Sequence, residues 1–333
     1  MFYEPIEGGS VRCFLCAHSC RIGLGKRGIC AVRENRDGML YSLVYGKVIA
    51  EHADPIEKKP LFHFLPGSRS YSIATAGCNF RCKHCQNYEI SQFPRERADF
   101  PIPGIDKTPS EIVESASRAG CESISYTYTE PTIFLEYAAD CAGLAKSRGI
   151  KNVFVSNGFM SPESAAYVAR YIDANNIDLK GDENFYRDIC HARLAPVLET
   201  IKTMKAAGVW LEITTLVIPG WNDSPETLRE IAGFIASVDK AIPWHVSRFH
   251  PDYRLLDAGP TPAETIRFAV NIGKEAGLKY VYSGNIAEPG GEDTRCHGCG
   301  EILVRRSGFT VAAMKIKQGA CPRCLTPIEG IWP

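Results

Sequence analysis

The sequence predicts an α/β chain. A full or partial (β/α) barrel over residues 70–290 follows a Cys-rich N-terminal extension and arm (1–69) and precedes a small zinc-ribbon-like module (291–333). Three observations lead there. β-rich runs alternate with helical stretches about six times between residues 70 and 285, polar residues gather just after those runs, and eleven of the 14 cysteines fall into three tight groups. Repeated strand–helix alternation means parallel strands joined by right-handed crossovers. A doubly wound sheet is the other arrangement this alternation allows. Both put functional residues at the C-terminal ends of the strands.

The strand runs are Tyr71–Ala76, Ser123–Tyr128, Asn152–Ser156, Asn176–Leu179, Trp210–Ile218, Trp244–Phe249 and Lys279–Tyr282. Amphipathic, Ala/Glu/Arg-rich stretches between them read as helices over 109–119, 132–147, 161–171, 195–207, 224–238 and 261–276. Four of these open on a hydroxyl residue followed by proline: Thr108-Pro109 with Glu111, Ser161-Pro162-Glu163, Ser224-Pro225-Glu226 and Thr261-Pro262 with Glu264. The hydroxyl accepts a first-turn N–H that lacks an intrahelical partner, and proline's fixed φ suits the first helical position.

Lys+Arg 38 and Asp+Glu 38 cancel, so no global field draws the chain to nucleic acid or an acidic membrane. The ends lean basic, with seven Lys/Arg against four Asp/Glu in residues 1–50 and six against two in 295–333. The basic residues of the C-terminal stretch read as a solvated face. No apolar run approaches the ~20 residues that span a bilayer, and the start, MFYEPIEGGS, has no apolar signal region. A soluble cytoplasmic protein with no membrane partner is the expectation. Thiols stay reduced in that compartment, so the cysteines point to metal rather than disulfides.

Their spacing is informative. Cys78-x3-Cys82-x2-Cys85 follows the first strand run and offers three thiolates, which suits a [4Fe–4S] cluster whose fourth iron stays free. A zinc site recruiting a distant fourth ligand is the alternative. Cys296-x2-Cys299 and Cys321-x2-Cys324 form two knuckles around a hairpin at 301–316, the pattern of a closed tetrahedral zinc site, with a rubredoxin-like single iron as the other possibility. Cys13, Cys16, Cys20 and Cys30, with Gly23, Gly25 and Gly28 for tight turns, can wrap one metal, either zinc or a second Fe–S cluster, with zinc the preferred expectation. Cys121, Cys141 and Cys190 stand alone and read as small buried apolar residues.

The Cys78–Cys85 loop after a first barrel strand resembles the radical S-adenosylmethionine (SAM) superfamily. The chain is similar to its pyruvate formate-lyase activating enzyme branch and, within that, to the radical SAM component of the AmmeMemoRadiSam system. The matching segments are the N-terminal cysteines 13, 16, 20 and 30, Tyr128–Thr132 (YTEPT), Ser156–Gly158 (SNG), Asp178–Lys180 (DLK), Ile218–Asp223 (IPGWND) and the C-terminal knuckles. The resemblance implies a barrel of the radical SAM type, an activating-enzyme-like oxidoreductase, and a [4Fe–4S] cluster on Cys78, Cys82 and Cys85. The open iron would chelate the methionine part of SAM. Glu130 would meet the SAM amino group, although Tyr128 and Thr129 stand where relatives carry glycines; a plain helix start is the other reading of Glu130-Pro131. His84 replaces an aromatic residue near the adenine, and Asn157, Asp178, Lys180 and His250 match positions that contact the ribose, carboxylate or methionine end. Val155 replaces an aspartate that helps relatives bind a cation. Pro219–Asp223 reads as a shaped turn.

The leading expectation is therefore reductive SAM cleavage to a 5′-deoxyadenosyl radical that takes hydrogen from a substrate, with a glycine in a partner protein suggested by the resemblance. Cluster-dependent group transfer without a 5′-radical, or a non-enzymatic Fe–S/zinc scaffold, are the alternatives. Expected partners are SAM and an electron donor such as flavodoxin or ferredoxin. A protein substrate fits, and nucleic acid does not.

Overall fold

A computed structural model describes residues 1–286 and 288–333. One sheet of eight strands organises the chain: β1 (Ala50–Pro55), β2 (Arg69–Ala74), β3 (Ser123–Tyr126), β4 (Lys151–Ser156), β5 (Ala174–Asp178), β6 (Trp210–Val217), β7 (Trp244–Arg248) and β8 (Val281–Gly284). Their spatial order is their chain order. β1 is antiparallel to β2, and all later neighbours are parallel. Among the described residues β8 does not pair with β1, so the sheet is open and mostly parallel, not a closed barrel.

All seven predicted strands are present. β1 is the addition: its polar sequence, Ala-Glu-His-Ala-Asp-Pro, carries no apolar alternation and ends in proline, as edge strands often do. Among the described residues six α-helices of seven residues or more lie between the parallel strands: α1 (Pro109–Arg118), α2 (Leu135–Ser147), α3 (Pro162–Val168), α4 (Ala195–Ala206), α5 (Pro225–Val238) and α6 (Ala263–Glu275). Thr108 and Glu111 form a reciprocal capping box on α1, Ser161 caps α3 with Ser164, and Ser224 caps α5 through Thr227 N–H. Thr261 does not cap α6. It is buried instead, with its hydroxyl donating to Val217 O at 2.6 Å and accepting from Phe249 N at 2.9 Å, which stitches β6 to the chain after β7. α6 lies close to the sheet because residue 273 is glycine: a Cβ there would fall 2.8 Å from Trp244 and 2.9 Å from Val281.

The two flanking parts occupy opposite ends of the sheet. At the strands' C-terminal ends, Tyr3–Pro5, Val11–Cys13 and Cys20–Ile22 form a three-stranded antiparallel sheet, followed by a hairpin of Arg33–Arg36 and Met39–Ser42. The buried Arg33 guanidinium grips Glu136 in the first turn of α2, and Ala17 N donates to Phe159 O at 3.3 Å. At the N-terminal ends, Thr294–Arg295, Ile302–Ser307 and Thr310–Met314 make a second small antiparallel sheet. It packs through Leu303 and Ile328 on Phe62, Tyr280 and Tyr282. Ile331 sits with Phe64, Val153 and the strand-opening residues Ala174 and Trp210. Among the described residues no helix is long and apolar enough to cross a membrane.

Candidate active site at the strand ends

The loop after β2 turns sharply at Gly77, whose φ is +99°. A Cβ at that position would lie 2.7 Å from Val32 and 3.1 Å from Cys30 O, so only glycine lets the N-terminal part close on the loop. Cys78 and Cys82 are buried and Cys85 half-buried. Phe80 N donates to Cys78 Sγ at 3.4 Å, and Asn157 Nδ2 lies 3.9 Å from the same sulfur. Burial, Glu130 and Cys82 push the Cys78 thiol well up, and Cys190 with burial does the same for Cys82. A metal reverses that bias by binding the thiolate outright.

Glu130 is fully buried. Its Oε1 accepts from Thr132 N (3.0 Å), Thr132 Oγ1 (2.6 Å) and Ser156 Oγ (2.8 Å), and its Oε2 accepts from Asn157 N (2.8 Å). It also starts the short 3-10 helix Pro131–Phe134, so the helix-start reading and a tie to the loop after β4 hold together. Burial outweighs these neutral donors and raises its pKa. No Lys, Arg or His pairs with it among the described residues. Tyr128 adopts a left-handed φ of +66°. Its hydroxyl donates to Asp54 Oδ2 at 2.5 Å, and Lys59 Nζ stands 4.6 Å over its ring. The buried Lys59 pairs with the same Asp54 at 2.7 Å. These side-chain anchors offset the strain of a positive φ in a non-glycine residue.

Asn157 is buried beside this group, with Nδ2 donating to Asn79 Oδ1 at 2.7 Å. At the end of β5, Lys180 Nζ pairs with Asp178 Oδ2 at 2.6 Å. Burial would lower the Lys180 ammonium, but Asp178, Cys82 and Cys190 outweigh it and hold it well above its usual value. His84 is buried against Phe185 at 5.7 Å between ring centres, and its Nδ1 has no partner among the described residues. Burial and then Lys180 press its imidazole down to about 3, so it is neutral at pH 7. The 219–223 segment is a shaped turn: Asn222 donates to Lys180 O (2.6 Å) and Leu216 O (2.9 Å) and accepts from Ile218 N (2.6 Å). His250 is exposed and bonds only Pro251 O, so the structure does not join it to the other predicted residues.

Three residues that matter here carried no local signal. Asn79 connects Asn157 to His18 of the N-terminal part, whose Nε2 lies 2.9 Å from Asn79 O. Arg95 Nη2 donates to both Ile29 O (2.6 Å) and Cys78 O (3.1 Å). Cys190 is buried as expected, but it is not merely apolar filling: its thiol faces Cys82 and its carbonyl accepts from Arg81 N at 3.1 Å. Asn79 lies within the cysteine loop and Arg95 in the short helix Phe93–Glu96 that follows it, whereas Cys190 comes from the segment after β5. Arg81, Lys83, Arg95 and Arg254 line a cavity of about 540 Å³ beside the loop, with Glu96 as its one carboxylate.

The cysteine groups differ in compactness. The ligand atoms of Cys296, Cys299, Cys321 and Cys324 all lie within 4.8 Å of one another, with Cys296–Cys324 at 3.5 Å and Cys299–Cys321 at 3.7 Å. Thiolates at ~2.3 Å around one tetrahedral ion stand about 3.8 Å apart, so this donor set fits a single metal. Among the described residues no other thiol group is that compact. Cys78, Cys82 and Cys85 sense one another's charge without touching, and N–H groups point at Cys78 Sγ. That wider spread, with the unpartnered His84 nitrogen alongside, fits a cluster in which each thiolate takes a different iron.

The family model that matches, described as the radical SAM superfamily, spans residues 72–234. The chain is 46% identical over 332 residues to an uncharacterised protein of Methanocaldococcus jannaschii, covering 99% of this chain and 98% of that one. It is 21% identical over 211 residues to a pyruvate formate-lyase-activating enzyme of Clostridium pasteurianum, covering 58% of this chain and 84% of the enzyme. A radical SAM methyltransferase from Sphaerobacter thermophilus shares the fold at a TM-score of 0.53 and 14% identity, over 66% of this chain and 67% of that one. With three cysteines on the loop after the first parallel strand and polar strand ends converging on them, the chain belongs to the radical SAM superfamily.

Proposed function

We propose that the chain cleaves SAM reductively at a [4Fe–4S] cluster held by Cys78, Cys82 and Cys85, and takes hydrogen from a substrate. When bound, the cluster and SAM supply a 5′-deoxyadenosyl radical on one-electron reduction, with methionine as the other product. Glu130 carries the reading: a fully buried carboxylate beside the cysteine loop, supported only by neutral donors, is suited to receive the SAM ammonium. Its Oε2 accepts a single hydrogen bond and keeps acceptor capacity. Lys180 neutralises the SAM carboxylate, and Asp178, whose Oδ1 is not the oxygen that Lys180 holds, accepts from a ribose hydroxyl. Neutral His84 would lie beside the adenine, Asn157 holds the loop after β4 against Cys78, and His250 would stand at the solvent rim. Burial of Glu130, Asn157 and His84 keeps water from the reacting centre.

The likeness to activating enzymes supports a glycine in a partner protein as the hydrogen donor, and the N-terminal cysteine segment supports the AmmeMemoRadiSam branch. The cationic cavity beside the loop supports an acidic electron donor of the flavodoxin or ferredoxin kind. The C-terminal four cysteines hold zinc in a closed structural site, in a three-part division of the chain at about residues 69 and 290. After anaerobic reconstitution and dithionite reduction, SAM should yield 5′-deoxyadenosine in a reaction that needs Cys78, Cys82 and Cys85. Methylthioadenosine as the product would instead favour group transfer, and no turnover a non-enzymatic scaffold.

A further inference from the structure

We propose that Cys13, Cys16, Cys20 and Cys30 hold a second iron–sulfur cluster, closed by four thiolates, that exchanges single electrons with the centre on the 78–85 loop; the electron exchange rests on the function proposed above. Zinc was the sequence expectation for this group, and the spread of the sulfurs argues against it. Cys13 and Cys20 are direct partners across two antiparallel strands, which puts their side chains on one face. Cys16 sits in the connecting turn, closed by Ser19 N to Cys16 O at 3.1 Å. Cys20 Sγ points at Gly28, 3.7 Å from where a Cβ would be, in the turn that carries Cys30. Cys16 also senses the charges of Cys13, Cys20 and Cys30, so the four thiols share one neighbourhood. Yet they do not gather within the 4.8 Å that the C-terminal four achieve. Four thiolates that converge without touching suit a multinuclear core better than one tetrahedral ion.

Its placement says what such a cluster does. Four thiolates leave no iron open to a substrate, the arrangement of electron-transfer clusters. The backbone of Cys30 abuts the active loop, with its carbonyl 3.1 Å from the Cβ position of Gly77. One nitrogen of Arg95 bonds the carbonyls of Ile29 and Cys78 together, so a single guanidinium lies between the two thiol groups. Arg95 has no carboxylate partner among the described residues, and its Nε is buried without a hydrogen bond. A cation so placed is compensated when both thiol groups carry negative clusters. His18, inside the Cys16–Cys20 turn, makes a second link through Asn79 O. A low-potential one-electron donor reduces the N-terminal cluster, which passes the electron to the loop cluster and returns to its oxidised state; no bond forms or breaks.

The test counts metals and reads spins in the full chain, reconstituted anaerobically. The wild type should contain about eight irons and about one zinc. Cys78→Ala/Cys82→Ala/Cys85→Ala should keep about half the iron, with a reduced-cluster EPR signal unmoved by SAM. Cys13→Ala/Cys20→Ala should lose that half and keep a SAM-responsive signal. In the fully reduced wild type the two signals should broaden through mutual coupling that neither variant shows. An iron-free triple variant, or about two zincs per wild-type chain, overturns the second cluster. Two uncoupled clusters overturn the electron exchange. A wild type whose loop signal ignores SAM while the N-terminal cluster persists refutes the proposed function and leaves this cluster standing.

Discussion

Two glutamates, one at each end of the sheet, are equally buried, yet one is pushed towards its neutral acid and the other held as an anion. Glu130 at the strands' C-terminal ends and Glu212 near their N-terminal ends are both fully inaccessible, and each accepts four hydrogen bonds. For Glu212, burial is outweighed by His245 at 2.6 Å and by His63, so its pKa is lowered. For Glu130 the neighbours are hydroxyls and amides, burial wins, and its pKa is raised. Glu212 already has two imidazoles turned towards it, His245 and His63, and serves the structure. Glu130 has none, which suits it to the ligand ammonium of the proposed function. The cysteines repeat the contrast: four sulfurs close enough for one ion at the N-terminal ends, and wider groups at the other.

The sharpest way to break this contrast is at the loop. Cys78→Ala should abolish 5′-deoxyadenosine formation to background and remove the loop iron while zinc stays at about one per chain, as read by product analysis with metal determination. Cys190→Ala should retain that iron; its loss would make Cys190 a fourth ligand and close the centre to SAM. At the opposite end, Cys296→Ser/Cys321→Ser should remove the zinc and cost several kcal/mol of stability, on the scale of a structural metal site. Thermal unfolding and proteolysis across 294–333 would report it, with loop iron unchanged.

Exchanging charge for amide compares the glutamates directly. Glu130→Gln should weaken SAM binding about 10- to 100-fold, the value of one charge-assisted hydrogen bond, with little change in thermal stability. Glu212→Gln should do the reverse, lowering stability and leaving SAM affinity alone. Equilibrium SAM binding and thermal melts on both variants decide it. The smallest expected effect is on pH. Burial presses His63 down to about 4 from an ordinary 6.5. The unfolded chain therefore binds the proton first, and stability falls as pH drops from 6.5 towards 4. His63 Nδ1 holds Glu329 O at 2.7 Å, so hydrogen exchange in the last residues should rise over that window before the loop responds.

Much of this was legible in the sequence because it is written locally. Strand runs, helix caps at Thr108, Ser161 and Ser224, and the polar residues that follow each strand depend on neighbours a few positions away. β1 was not, since Glu51, His52 and Asp54 give it no apolar face. Nor was the left-handed Tyr128, whose conformation is held by Asp54 and Lys59, some 70 positions earlier. Thr261 looked like a cap, but two buried backbone groups claimed its hydroxyl.

By itself the sequence determined which side chains stand at the strand ends and that the C-terminal knuckles meet, because ligand type, spacing and strand period are short-range properties. Only the tertiary structure decided how far apart the N-terminal sulfurs stand, that Arg95 lies between two cysteine groups, and that Glu130 lacks the imidazole neighbours of Glu212. Those facts are distances between residues tens to hundreds of positions apart, and packing alone sets them.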